Sequence, residues 1–331
     1  MLTPHEVTVA STARLHMGFF DLHGGLGRKF GGIGLSLSAP KQVITAKLSD
    51  TLQISGASCS RASLIAEQCI ATLNLKGSVS LNIEQHIPEH AGLGSGTQLA
   101  LAIGSAINQL YHLNLSTAQI AELTGRGGRS GIGIAAFDYG GLLIDGGRLS
   151  GQTSAKKTVT ANKADNIPPL LARYDFPENW RILLIMDANQ SGIHGEAERE
   201  AFNQLPMFSE SLAAYLCRYV LMQAMPALVE HDLTAFGGAI QALQSHVGDY
   251  FSPAQGGRYA SKQIGAVLQH LDEMGVACYG QSSWGPTGFA VFESDELAHK
   301  YMLELKMTFT APNLTWQICS ANNKGSTVRA T

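Results

Sequence analysis

The sequence predicts an α+β chain of two domains. Three observations carry that reading. Strand-like and helical segments alternate only partly through the first half, a polar and proline-punctuated stretch breaks the pattern between 149 and 179, and the second half interleaves long helical periods with apolar strands. At 331 residues the chain also exceeds the roughly 250–300 residues at which a single core stops growing.

In order, EVTVAS (6–11), QVITAKL (42–48) and SVSLNIEQ (78–85) read as strands, with RASLIAEQCIATLNL (61–75) helical between the last two. The loop PEHAGLGSGT (88–97) runs into a helix that places Leu99, Ile103, Ile107 and Leu110 on one face. STAQIAELTGR (116–126) is a short helix capped by Ser116, and GGLLIDGG (140–147) a buried strand between glycine turns. The boundary within 149–179 gives domains of 1–165 and 175–322. Beyond it come a strand WRILLIMD (180–187), helices over 209–230, 233–248 and 259–275, strands at 276–283 and 287–293, a helix near 294–306 and a strand at 314–320.

Composition narrows the function. A formal net charge of −3 without any long basic run argues against nucleic acid and leaves a small molecule as the expected partner. No apolar run approaches the roughly 18–20 residues of a membrane span, and the first residues lack a basic then apolar leader, so a cytoplasmic protein is expected. Five cysteines without a C-x-x-C pair read as reduced thiols. His86 and His90 are four apart, but Pro88 prevents the helix that would align them on a metal.

Four segments carry chemistry. In the loop, Gly92, Leu93, Gly94, Ser95, Gly96 and Thr97 combine glycines that admit a ligand to the backbone with two hydroxyls, at the positive end of a helix. That is either an anion cradle or a glycine turn that merely caps the helix. It lacks the lysine of the G-x-x-x-x-G-K-[ST] loop. In STARLHMGFFDLHGG, Arg14, His16 and Asp21 could hold a phosphate or a leaving group, or be surface and core groups satisfied by neighbours. In GRGGRSGIGIAAFDYGG, Arg126 and Arg129 among glycines suit phosphates, with surface arginines as the alternative; Asp138 either binds a metal or caps a turn. Finally GQSSWGPTGFAVFE, with Ser283, is a turn that could close over the first loop or simply join two strands.

In this order the segments resemble the GHMP kinase superfamily, that of the galacto-, homoserine, mevalonate and phosphomevalonate kinases, over nearly the whole chain. PEHAGLGSGT is similar to its P-x-x-x-G-L-G-S-S phosphate loop, STARLH to its first motif and SSWGPTGFAV to its third. The resemblance implies an N-terminal α+β domain with a left-handed β-α-β crossover, a C-terminal ferredoxin-like sandwich, an active site between them, and a homodimer. RLHMGFFDLHG, AGLGSGTQ, GRGGRSGIGIAAFDYGG and SGIHGEAEREAF resemble more closely the β-ribofuranosylaminobenzene 5′-phosphate synthases of that superfamily. These use no ATP: they join phosphoribosyl pyrophosphate to an aromatic acid, 4-aminobenzoate or 4-hydroxybenzoate, releasing carbon dioxide and pyrophosphate for methanopterin biosynthesis. An ATP-dependent small-molecule kinase is the alternative.

Two departures favour the synthase. Ile134 stands where several of the kinases place an aspartate, and Gly96 replaces the second serine of G-L-G-S-S. On the synthase reading the loop amides, Arg126 and Arg129 hold the phosphates together with Mg²⁺, for which Ser95, Thr97 and Asp138 are candidate ligands. Arg14 binds the carboxylate or the leaving group, with His16 or Asp21 adjusting the ring substituent. Ser191, His194 and Glu196 form a second candidate cluster or a plain helix start.

Overall fold

A computed structural model describes residues 5–150, 167–193 and 195–331. Strand β1 (Val7–Asp21) runs far beyond the predicted 6–11, because register shifts near Arg14, Gly18 and Asp21 let it bend while staying paired with β3. After a short β2 (Arg28–Lys29) comes β3 (Gly31–Ser49), which begins well before the predicted 42–48 in a glycine-rich stretch. Side chains from elsewhere fill its glycine positions: a Cβ on Gly34 would lie 2.3 Å from Ile132 Cγ2, and one on Gly31 2.4 Å from Phe20 Cε2.

Next, β4 (Gln53–Gly56), α1 (Cys59–Thr72) and β5 (Ser78–Gln85) form a crossover, with β4 and β5 parallel. Then α2 (Ser95–Leu110), α3 (Thr117–Leu123) and α4 (Ile132–Asp138) precede β6 (Leu142–Asp145), β7 (Arg148–Leu149) and β8 (Leu170–Tyr174). Ser116 caps α3 as expected, in a reciprocal capping box with Gln119. The described residues form a seven-stranded sheet, β13-β1-β3-β5-β4, with β6 joining β3 and β8 joining β6. The last of these strands, β13 (Thr327–Ala330), returns from the end of the chain to pair with β1. Residues 151–166 of the predicted boundary lie outside the described residues.

The second half opens on β9 (Arg181–Asp187), followed by α5 (Gly195–Gln204), α6 (Glu210–Tyr219), a π-helical turn at 220–224, α7 (Met225–Glu230) and α8 (Leu233–Gln255). Then come α9 (Lys262–Glu273), β10 (Cys278–Gln281), β11 (Thr287–Phe292), α10 (Asp295–Thr308) and β12 (Leu314–Cys319). The four strands form an antiparallel sheet in the order β12-β9-β11-β10, a ferredoxin-like arrangement. By length and composition 210–230 could cross a membrane, which the sequence reading overlooked; here Ala213, Leu216, Val220, Ala224 and Leu228 pack into the core.

One core cluster spans both sheets, joining Leu15, Met17 and Phe19 of β1 to Leu184 of β9, Phe289 of β11 and Leu243 of α8. Gln244 ties the same layers with polar bonds: its amide donates to the carbonyls of Met17 and Gln281 and its oxygen accepts from the Gln281 amide. On the outer face of the first sheet, α2 is buried almost all round and not only along its predicted stripe, because it lies between β1, β3, α1, α3 and α4. Its Gly104 admits Ile120, whose Cγ2 would be 2.2 Å from a Cβ there.

Candidate active site

The loop before α2 meets the turn after β10 backbone to backbone. A Cβ on Gly285 would lie 2.3 Å from the Gly92 Cα, and one on Gly92, whose φ is 79°, 2.4 Å from the Ser282 carbonyl oxygen. Ser282 Oγ donates to the Gly92 carbonyl and accepts from the His16 amide, while the Ser283 amide donates to the His16 carbonyl. The first and fourth chemical segments are thereby locked together, and the second supplies the lock.

Gly94 caps α2 in the left-handed conformation, leaving the Ser95 and Gly96 amides without a hydrogen-bond partner among the described residues. They open on a cavity of about 160 Å³ also lined by Thr97, Arg61, Arg126, Glu198, Ser283 and Trp284. Arg61 comes from the first turn of α1 and meets Arg126 above Gly96: a Cβ on Gly96 would lie 2.3 Å from Arg61 Nη2 and 3.2 Å from Arg126 Nη1. Neither arginine has a carboxylate at ion-pair distance among the described residues. Burial, and then the neighbouring Arg61, lower the Arg126 pKa.

Arg14 does not line this cavity. It braces the loop from behind, its amide donating to Leu93 O and its Nη1 to Gly92 O, with the guanidinium laid against Gly94. Burial lowers its pKa to about 10, against the opposing pull of Glu198, so it stays charged at neutral pH. Leu93 likewise contributes only backbone, since its side chain is in the core.

A second, narrow cavity of about 30 Å³ adjoins the first and shares Ser283 and Trp284 with it. Its walls are Phe19, Phe251, Trp284, Leu243 and Val247, with His16 at the base. The Phe251 and Trp284 rings lie 4.1 Å apart and tilted by 34°, and His16 is 4.4 Å from Phe19. Burial, then Arg14, lower the His16 pKa to about 3, so the ring is neutral, and its Nε2 has no partner. The Trp284 indole N–H is also buried without a partner.

Several expectations are corrected. Asp21 lines neither cavity; it caps its own turn, accepting from the His23 and Gly24 amides. Asp138 accepts from Thr117 Oγ1 at 2.6 Å, away from the loop. Arg129 is set back behind the cavity, bonded to Glu198 at 2.5 Å and lying over the Phe202 ring. Ser191 is exposed and lines neither cavity, although Gly192 and Ile193 beside it line the first. His194 and the Glu196 side chain lie outside the described residues. Ile134 is buried, near Gly127.

Sequence reading missed Arg61, Glu198 and Asp145. Asp145 is fully buried and accepts from Ser130 Oγ and from the Gly131, Ile132 and Gly147 amides, fixing the arginine-bearing segment before α4. Burial raises its pKa to about 6 against those bonds.

The donor set does not fit a resident Mg²⁺. Ser95 and Thr97 supply hydroxyls, but the sole carboxylate lining the loop cavity among the described residues, Glu198, is engaged by Arg129. No cluster of three or more His, Cys, Asp or Glu side chains gathers among the described residues.

Residues 57–141 match the GHMP kinases N terminal domain and residues 224–306 the GHMP kinases C terminal domain, so fold and loop define a member of that superfamily. A homoserine kinase from Cytophaga hutchinsonii has the same fold, with a TM-score of 0.68 at 18% identity over 99% of both chains. Closer in sequence are two proteins named β-ribofuranosylphenol 5′-phosphate synthase. That of Archaeoglobus fulgidus is 37% identical over 86% of this chain and 87% of its own length; that of Methanocaldococcus jannaschii is 35% identical over 88% and 91%. The chain belongs to this family of enzymes.

Proposed function

We propose that the protein condenses phosphoribosyl pyrophosphate with 4-hydroxybenzoate, releasing carbon dioxide and pyrophosphate, as a step towards a methanopterin. The observation that carries this reading is adjacency: a cationic cavity at a helix N-terminus and an aromatic-walled one meet at Ser283 and Trp284. A bond between a phosphorylated sugar and an aromatic ring would form at such a junction. The relatives' names specify a phenol product, which favours the hydroxy acid over 4-aminobenzoate.

The loop amides and Arg126 take the pyrophosphate, and their positive field stabilises it as the bond to ribosyl C1 breaks and it leaves with the electron pair. The ring carbon bearing the carboxylate, laid against the edge of the Phe19, Phe251 and Trp284 cluster that lines the second cavity, bonds to C1. The bond to the carboxylate then breaks, carbon dioxide departs and its electron pair restores the aromatic ring. No proton is gained or lost overall, so a neutral His16 serves as a wall and hydrogen-bonding group, without acting as a base. Mg²⁺ arrives as the counter-ion of phosphoribosyl pyrophosphate. A cytoplasmic homodimer is the setting this reading expects.

The test is incubation with phosphoribosyl pyrophosphate and carboxyl-labelled 4-hydroxybenzoate. Labelled carbon dioxide released one for one with pyrophosphate is expected. ADP formed from ATP with an alcohol acceptor, and no carbon dioxide, would establish the kinase instead.

A further inference from the structure

We infer that Arg61 and Arg126, with the open end of α2, form a diphosphate site in which guanidinium groups do the neutralising otherwise left to a protein-held divalent cation. The identity of the diphosphate as a leaving group rests on the synthase reading; the site itself rests on geometry. The arginines come from separate elements and converge over one residue, Gly96, whose missing side chain is what admits them. Two cations brought together with no carboxylate at ion-pair distance among the described residues repel one another, an arrangement that a shared anion reverses.

Four donors without partners among the described residues line the same cavity. The Ser95 and Gly96 amides are free at the helix end, Arg126 Nε is buried without a partner, and so is the indole N–H of Trp284, a residue 3% exposed on the opposite wall. An inorganic diphosphate presents enough oxygens to satisfy this set and both guanidinium forks. Acidic ligands for a cation are what the cavity lacks: its carboxylate, Glu198, is held by Arg129. Arg61 therefore acts on the bound diphosphate directly, and Gly96 is a specificity device, since any side chain there displaces Arg61.

Calorimetric titration of the whole chain with inorganic pyrophosphate, in EDTA and again with Mg²⁺, tests this. Binding in EDTA is expected within about tenfold of that with Mg²⁺, and Arg61→Ala should weaken it by about tenfold or more, the worth of one charge-assisted interaction. Arg61→Lys should recover part of the loss, and Gly96→Ser should weaken binding in the same direction. Should Arg61→Ala fail the circular-dichroism check for folding, Arg61→Gln takes its place. Binding seen only with Mg²⁺, or an unchanged affinity in the Arg61 variant, overturns the inference. Carbon dioxide release by a wild type that needs Mg²⁺ to bind pyrophosphate would sink this inference and spare the synthase; metal-free binding without any carbon dioxide release would do the reverse.

Discussion

The two walls that meet at Trp284 are built from opposite materials. On the loop side the surface is backbone amide and guanidinium, placed by Gly94 and Gly96 and braced by Arg14 from behind. On the α8 side rings and aliphatic side chains predominate, with a neutral imidazole, three glutamines and Arg258 among them. The first recognises charge and is indifferent to shape beyond the oxygens; the second offers mainly apolar contact to a flat ring. Each wall should therefore fail separately.

The largest expected effect comes from Arg14→Ala. Loss of its bonds to Gly92 and the packing beneath Gly94 shifts the cradle, and turnover should fall by about 10²-fold or more with the fold intact by circular dichroism. Unchanged kinetics would remove Arg14 from the machinery. Next, Phe251→Leu should raise KM for 4-hydroxybenzoate by about tenfold, the worth of an aromatic pair, while leaving pyrophosphate affinity alone. A parallel loss of both affinities would show that the walls are one site. Smaller still, Glu198→Gln removes negative charge from the loop cavity and should tighten pyrophosphate binding about threefold in titrations at low salt.

The smallest effect at neutral pH lies at His16. Its folded pKa of about 3 is below the ordinary 6.5, so the folded form binds fewer protons in that window; stability falls as pH drops from 6.5 towards 3. Urea titrations should show His16→Gln flattening this slope. Asp145 has the opposite sign: its pKa of about 6 is above the ordinary 3.8, so its contribution declines as pH rises from 3.8 to 6, and Asp145→Asn should remove that decline.

What was legible in the sequence was local. The loop and helix at 88–110, the Ser116 cap and most strands of the second half declare themselves through turn residues and periodicity. Asp21 and Asp138 misled because a short carboxylate beside a glycine turn can cap that turn, as Asp21 does, or bond a neighbouring helix, as Asp138 does to Thr117, as readily as it binds a ligand, and only the fold separates these uses. Arg61 was hidden for a different reason. It sits at the start of an amphipathic helix, where a solvated arginine is ordinary, and its partner Gly96 is 35 positions away. The first half of β3 was hidden because Gly31 and Gly34 are glycine for the sake of Phe20 and Ile132, contacts that no local window contains.

Where Gly92 and Gly285 touch, no side chain separates the two halves of the molecule. The shared core of Leu15, Leu184 and Phe289 and the bonds of Gln244 hold the sheets on either side of it, so the contact works like the keystone of an arch: loop and turn are pressed together and neither can slide past the other. A side chain at either glycine would wedge the arch open, and the amides at the start of α2 would lose the position that the turn after β10 gives them.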